Sequence, residues 1–175
     1  MPSASPRSHA VSESASPSVV MKPSPVHVWL LAIRPKTLWA GAVPVLVATA
    51  LAASHEAITL MPALAALLGS ILIQIGTNLV NDLADFKRGA DGPDRLGPER
   101  ATANGWLSEN QVLFGAVLSL ALAAALGVYI IMIGGWPLAV LGVVSLICAV
   151  AYTAGPMPLA YVGLGDVFVL LFFGE

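Results

Sequence analysis

From Asn78 to Arg95 the chain reads Asn-Leu-Val-Asn-Asp-Leu-Ala-Asp-Phe-Lys-Arg-Gly-Ala-Asp-Gly-Pro-Asp-Arg, which puts four carboxylates, Asp82, Asp85, Asp91 and Asp94, inside 13 residues. Like charges this crowded repel one another unless cations sit among them. Two kinds of cation suit the pattern. Mg²⁺ takes one or two carboxylates together with waters and phosphate oxygens, and usually avoids a complete protein cage. Lys87, Arg88, Arg95 and Arg100 add fixed positive charge, arginine as a bidentate fork and lysine as a point charge. Acids and bases alternating around a loop that carries Gly89, Gly92 and Pro93 can hold a diphosphate through metal ions. Arg34, just ahead of the first apolar stretch, is a further phosphate contact or, equally, an anchor at a membrane surface.

These side chains need a rigid carrier. Gln74, Asn78, Asn81 or Asp82, and Asp85 recur at intervals of three or four, so on a continuing helix they form one polar stripe of about 11 residues, or ~16 Å. A charged loop of a membrane protein is ordinarily a solvated loop whose charges pair among themselves. Here the stripe runs back into an apolar segment, and polar stripes inside a membrane face away from lipid and serve function.

The surrounding composition requires that membrane. Of 175 residues, 57% are hydrophobic and 10% charged, against roughly 45–50% and about 25% in soluble domains. Ten of the 18 charged residues lie between Asp82 and Glu109. The net charge of −2 and the absence of a basic patch interleaved with aromatics exclude a nucleic-acid partner. Cys148, the single cysteine, excludes an internal disulfide and reads as a small packed side chain. His9, His27 and His55 have no spacing that would hold zinc, so any metal must use oxygen ligands.

Residues 1–25, with eight Ser and five Pro, read as a disordered tail. Three charge-free stretches follow, Thr37–Ser54, Ala57–Asn81 and Asn110–Gly165. The third is broken at Gly134-Gly135-Trp136-Pro137 and at Gly155-Pro156-Met157-Pro158. The expectation is an all-α polytopic transmembrane bundle with spans at about 37–54, 57–81, 112–133 and 138–153, a partial span at 163–175, and a catalytic loop at 82–109. Basic residues flank the first two spans on one side only, which places the N-terminus and the 82–109 loop in the cytoplasm. Residues 163–175 reach only ~20 Å as a helix and end on an acid, so the chain reads as a fragment of a longer protein. Trp29, Trp39, Trp106 and Trp136 read as interfacial belts, Tyr152 and Thr153 as an interface anchor, and Asp166 as a further residue facing the cavity.

The motif Asn81-Asp82-x-x-Asp85, continued as Phe86-Lys87-Arg88-Gly89-Ala90-Asp91, resembles the first aspartate-rich motif of the UbiA-type intramembrane aromatic prenyltransferases. Within that superfamily the likeness is to the 1,4-dihydroxy-2-naphthoate prenyltransferases of menaquinone synthesis. It is carried also by Leu30–Leu38 with its Arg34-Pro35-Lys36, by Asp94–Arg100, and by Tyr161–Val169 with Phe172-Phe173-Gly174. The resemblance implies a nine-span bundle that moves a polyprenyl group from its diphosphate to an aromatic acceptor, using Mg²⁺. Asn81, Asp82, Asp85 and Asp91 would then be metal ligands, with Asp82 and Asp85 catalytic. Asn78, Asn81, Lys87, Arg88, Arg95, Arg100 and Arg34 would hold the diphosphate. The six-residue step from Asp85 to Asp91 is longer than in many relatives. For the naphthoate enzymes the acceptor loses CO₂ and demethylmenaquinol results. A second aspartate-rich motif, expected on a later span pair, does not occur in these 175 residues, so the chain alone is expected to be inactive.

Three other readings compete. Another UbiA-type prenyltransferase would differ only in the acceptor. A CDP-alcohol phosphotransferase requires Asp-Gly-x-x-Ala-Arg, which Asp91-Gly92-Pro93-Asp94-Arg95 fails. An ion or proton transporter could use the Gln74–Asp85 stripe, but transporters place such groups near mid-membrane, not at one helix end.

Overall fold

A computed structural model describes residues 23–57, 59–89 and 100–151. Every regular element among them is a helix: α1 (Pro25–Ile33), α2 (Pro35–Ser54), α3 (Leu60–Lys87), α4 (Glu109–Gly134) and α5 (Trp136–Ala151). The fold class expected from composition is therefore the one observed. The expectations for the tail before Pro23, for Asp91, Asp94 and Arg95, and for Tyr152, Thr153, Asp166 and the 163–175 segment lie outside the described residues.

The sequence punctuates these helices by local chemistry. Ser24 caps α1 by accepting from the His27 backbone N–H, and Pro25 fits the first turn, where no N–H is needed. Pro35 ends α1, because a residue before proline is driven out of the right-handed α region. Arg34 accordingly sits at φ 53°, closing α1 and opening α2. The expected single entry to the first span is thus two helices meeting at Arg34-Pro35. Ser108 and Gln111 form a reciprocal capping box at the start of α4. Gly135, at φ 77°, ends α4 with a backbone conformation that a side chain would oppose.

Three helices, α2, α3 and α4, are long and apolar enough to cross a membrane, whereas the apolar part of α5, Trp136–Cys148, is shorter. α3 has 28 residues. That is ~42 Å of helix against a hydrocarbon core of roughly 30 Å. It runs to Lys87, past the expected span end at Asn81, so the polar stripe expected on a continuing helix, Asp82 and Asp85 included, stands on the helix. Lys87 in the last turn favours that extension by complementing the helix dipole.

α3 is the central element, packed most extensively on α4, then on α2, with α1 and α5 against it as well. Small residues permit close approach. A Cβ at Gly76 would stand 2.7 Å from Leu120, and one at Gly41 would stand 3.1 Å from the Ser70 carbonyl oxygen. The buried core gathers where α1, the last turns of α3, the first turns of α4 and the 100–107 segment meet: Val28, Ala32, Leu79, Leu83, Ala101, Leu107, Val112 and Ala116. Trp29 and Trp106 pack against that cluster. Both are partly buried, while Trp39 and Trp136 are exposed. Away from this end the helices show apolar side chains outward, Met132 being 82% exposed. Lipid suits such a surface; water does not.

Candidate functional site

The end of α3 is polar on the side that the bundle covers. Asn78, Asp82 and Asp85 are buried at 4%, 1% and 8% exposure, and Asn81 lies half-buried among them. Burial of this kind must be matched by partners. Three short pieces of chain supply them.

The α1–α2 break is the first. Asn78 Nδ2 donates to the Ile33 carbonyl and to Thr37 Oγ1, each at 2.8 Å. Thr37 Oγ1 in turn donates to the Arg34 carbonyl at 2.9 Å. Both amide protons of Asn78 thereby hold the left-handed Arg34 corner against α3. Arg34 is placed so that Asp82 feels its charge.

The second piece is the turn that leads into α4. The Ala101 carbonyl accepts from the N–H groups of Trp106 and Leu107, and Gly105 at φ 66° lets the chain reverse. Ala101 and Leu107 are core residues, so the turn is anchored from below. Two of its polar side chains, Arg100 and Thr102, reach the carboxylates. Thr102 donates to Asp82 Oδ2 from its hydroxyl at 3.0 Å and from its backbone N–H at 3.4 Å. Arg100, itself 8% exposed, pairs through Nη2 with Asp85 Oδ2, and its Nη1 stands 3.8 Å from Asp82 Oδ1. Asp82 Oδ1 is buried and receives no hydrogen bond.

The third is the start of α4, where Glu109 lies 3.5 Å from Lys87 across the helix ends. Both side chains are half exposed or more, so the pair contributes little to stability. Arg88 is exposed beside it.

Sequence reading named Arg34, Asn78, Asn81, Asp82, Asp85 and Arg100, and the structure brings these together. Lys87 and Arg88 stand at the exposed rim of the same end. The structure gives two of them partners within the protein: Asn78 holds the Arg34 corner, and Arg100 pairs with the carboxylates. Thr37 and Thr102 were missed. Each lies within three residues of a basic residue already singled out, but a lone threonine carries no signal until its acceptor is known.

Chemically, this is a pair of buried carboxylates one helical turn apart, with two guanidinium groups near Asp82 and a rim of further positive charge. Among the described residues no three His, Cys, Asp or Glu side chains converge as a metal cage. A hard cation that also takes phosphate oxygens needs fewer protein ligands than that.

Comparison with known proteins places the chain. Residues 41–174 match the model of the UbiA prenyltransferase family. The chain is 37% identical over 152 residues to a 1,4-dihydroxy-2-naphthoate octaprenyltransferase of Escherichia coli, covering 83% of this chain and 49% of that protein. It is 40% identical over 135 residues to the enzyme of that name from Bacillus subtilis, covering 77% and 43%. With the Mycobacterium tuberculosis enzyme of that name the identity is 36% over 146 residues, covering 83% and 50%. The chain thus spans about half the length of the curated relatives it matches. No solved structure matches it. With its aspartate-bearing helix end inside the matched region, this chain belongs to the UbiA prenyltransferase family.

Proposed function

We propose that the protein transfers a polyprenyl group from a polyprenyl diphosphate to 1,4-dihydroxy-2-naphthoate, with loss of CO₂, giving demethylmenaquinol for menaquinone biosynthesis. The observation that carries this is the convergence of Asp82, Asp85 and Arg100, beside the Arg34 corner that Asn78 holds, at one end of the central apolar helix. The names of the relatives support the acceptor. The site belongs at the cytoplasmic face of the cell membrane, a placement that the distribution of basic residues supports.

Mg²⁺ is the proposed cofactor. The fit rests on Asp82 Oδ1, a buried hard donor with no hydrogen bond, and on Asp85 and Asn81 beside it on α3. Asp82, Asp85, Asn81 and Asp91 would hold the ion. When bound, Mg²⁺ supplies neutralisation of the departing diphosphate. The chain's own residues do the rest. Arg34, Lys87, Arg88, Arg95 and Arg100 bind diphosphate oxygens and fix their direction. Asn78 keeps Arg34 in place for that contact. The apolar faces of α2, α3 and α4 receive the prenyl chain and exclude water, which would otherwise capture the reactive carbon.

The test is an assay of the protein as its gene encodes it, with radiolabelled prenyl diphosphate and dihydroxynaphthoate. Asp85→Asn should lower turnover by about 10²-fold or more, the loss typical of removing one preorganised electrostatic group. Equal product from wild type and variant would sink the role given to Asp85. Transfer to another aromatic acceptor in preference to dihydroxynaphthoate would overturn the substrate.

A further inference from the structure

The diphosphate site contains a cation of its own. Arg100 is nearly inaccessible, and its guanidinium lies across both α3 carboxylates, bonded to Asp85 Oδ2 and 3.8 Å from Asp82 Oδ1. It faces the carboxylate oxygens that a metal ion would use. Its backbone is fixed by the turn whose Ala101 carbonyl takes two hydrogen bonds. The hold on the two carboxylates is uneven. Asp85 takes a hydrogen bond from Arg100, while Asp82 relies on Thr102 for Oδ2 and has nothing bonded to Oδ1.

We propose that Arg100 is a place-holder for the divalent cation: it neutralises the α3 carboxylates until the ion arrives, then releases Asp85 and turns its fork onto the diphosphate. The proposal rests on the reading of this end of α3 as a metal–diphosphate site. Removing Arg100 from Asp85 leaves a buried guanidinium in need of an acceptor, and a diphosphate offers two oxygens in matching geometry. Metal ion and diphosphate therefore bind cooperatively, because each satisfies a group that the other would leave bare. Without diphosphate, Arg100 competes with the ion and keeps its affinity low.

The experiment uses the protein as its gene encodes it, in detergent micelles, titrated with Mn²⁺ alone and followed by electron paramagnetic resonance. Arg100→Gln should bind Mn²⁺ about tenfold tighter than wild type, within the usual range of coupling between two sites. Equal or weaker binding by the variant would overturn the exchange and leave the metal reading standing. No binding by either form would overturn both. Thermal unfolding gives a second readout, since Arg100→Gln leaves two buried acids without their counter-ion. The variant should unfold at lower temperature than wild type in a chelator, and Mg²⁺ should raise its midpoint by more than it raises that of wild type. An equal Mg²⁺ shift in both would defeat the proposal. Should the glutamine variant fail to fold, Arg100→Lys keeps the charge and loses the fork. The gain in Mn²⁺ affinity that inorganic diphosphate gives wild type should then shrink, and an undiminished gain overturns the exchange.

Discussion

Thr102 shows how much a single side chain decides at this site. It gives Asp82 Oδ2 both its hydroxyl and its backbone N–H, inside a region with almost no solvent. Thr102→Val keeps the shape and removes the hydroxyl. A buried carboxylate that loses a donor is destabilised by about 1–3 kcal/mol, which thermal unfolding in micelles should register, with Thr102→Ser restoring most of the loss. Asn78 acts differently, since both of its amide protons go to the Arg34 corner. Asn78→Ala should raise the KM for prenyl diphosphate more than it lowers kcat, because Arg34 loses its position while the α3 carboxylates keep theirs. A fall in kcat alone would count against that role. The carboxylates themselves were legible in the sequence, because acids crowded beside an apolar run are costly and therefore conspicuous. Their partners were not. Arg100 looked like a ligand for phosphate, and only its contact with Asp85 reveals an internal pair.

Helix ends and helix contacts set the next level of organisation. Arg34-Pro35 was visible as a boundary motif, and the physical reason is the steric demand of proline on the residue before it. The reach of α3 beyond Asn81 was legible in the three- and four-residue spacing from Gln74 to Asp85, while the span boundary stopped at Asn81 because charged residues read as loop when the helix dipole and the partners on the 100–107 turn are left out. The capping box at Ser108 holds the start of α4, and so the direction in which that turn leaves the carboxylates. Ser108→Ala should cost about 1 kcal/mol, measured as a lowered unfolding midpoint with little change in Mn²⁺ binding. Between α3 and α4 the determinant is volume. Gly76→Val would place atoms where Leu120 already stands, and overpacking of this sort costs about 1–3 kcal/mol. Its effect should be read in the same unfolding experiment, and a neutral result would mean that the two helices are not held this closely.

At the scale of the whole molecule, the buried core and the polar site occupy the same end of the bundle, while the rest of the helical surface is apolar and exposed. The placement of that end in the cytoplasm can be tested directly. With Cys148 replaced by serine, Lys87→Cys should react with an impermeant maleimide from the cytoplasmic side of oriented vesicles, and Glu56→Cys from the opposite side. Reversed labelling would invert the topology. The sequence by itself determined the class of the protein, its helical carriers and the location of its chemistry, because hydropathy, proline and glycine punctuation and charge crowding act within a few residues of one another. Only the tertiary structure decided which charges neutralise which. Asn78 meets Thr37, Asp82 meets Thr102 and Asp85 meets Arg100, each pair 15 or more positions apart along the chain. Such pairings depend on how α1, α3 and the 100–107 turn pack in three dimensions, and spacing along the chain does not encode the distance between two side chains that approach from different elements.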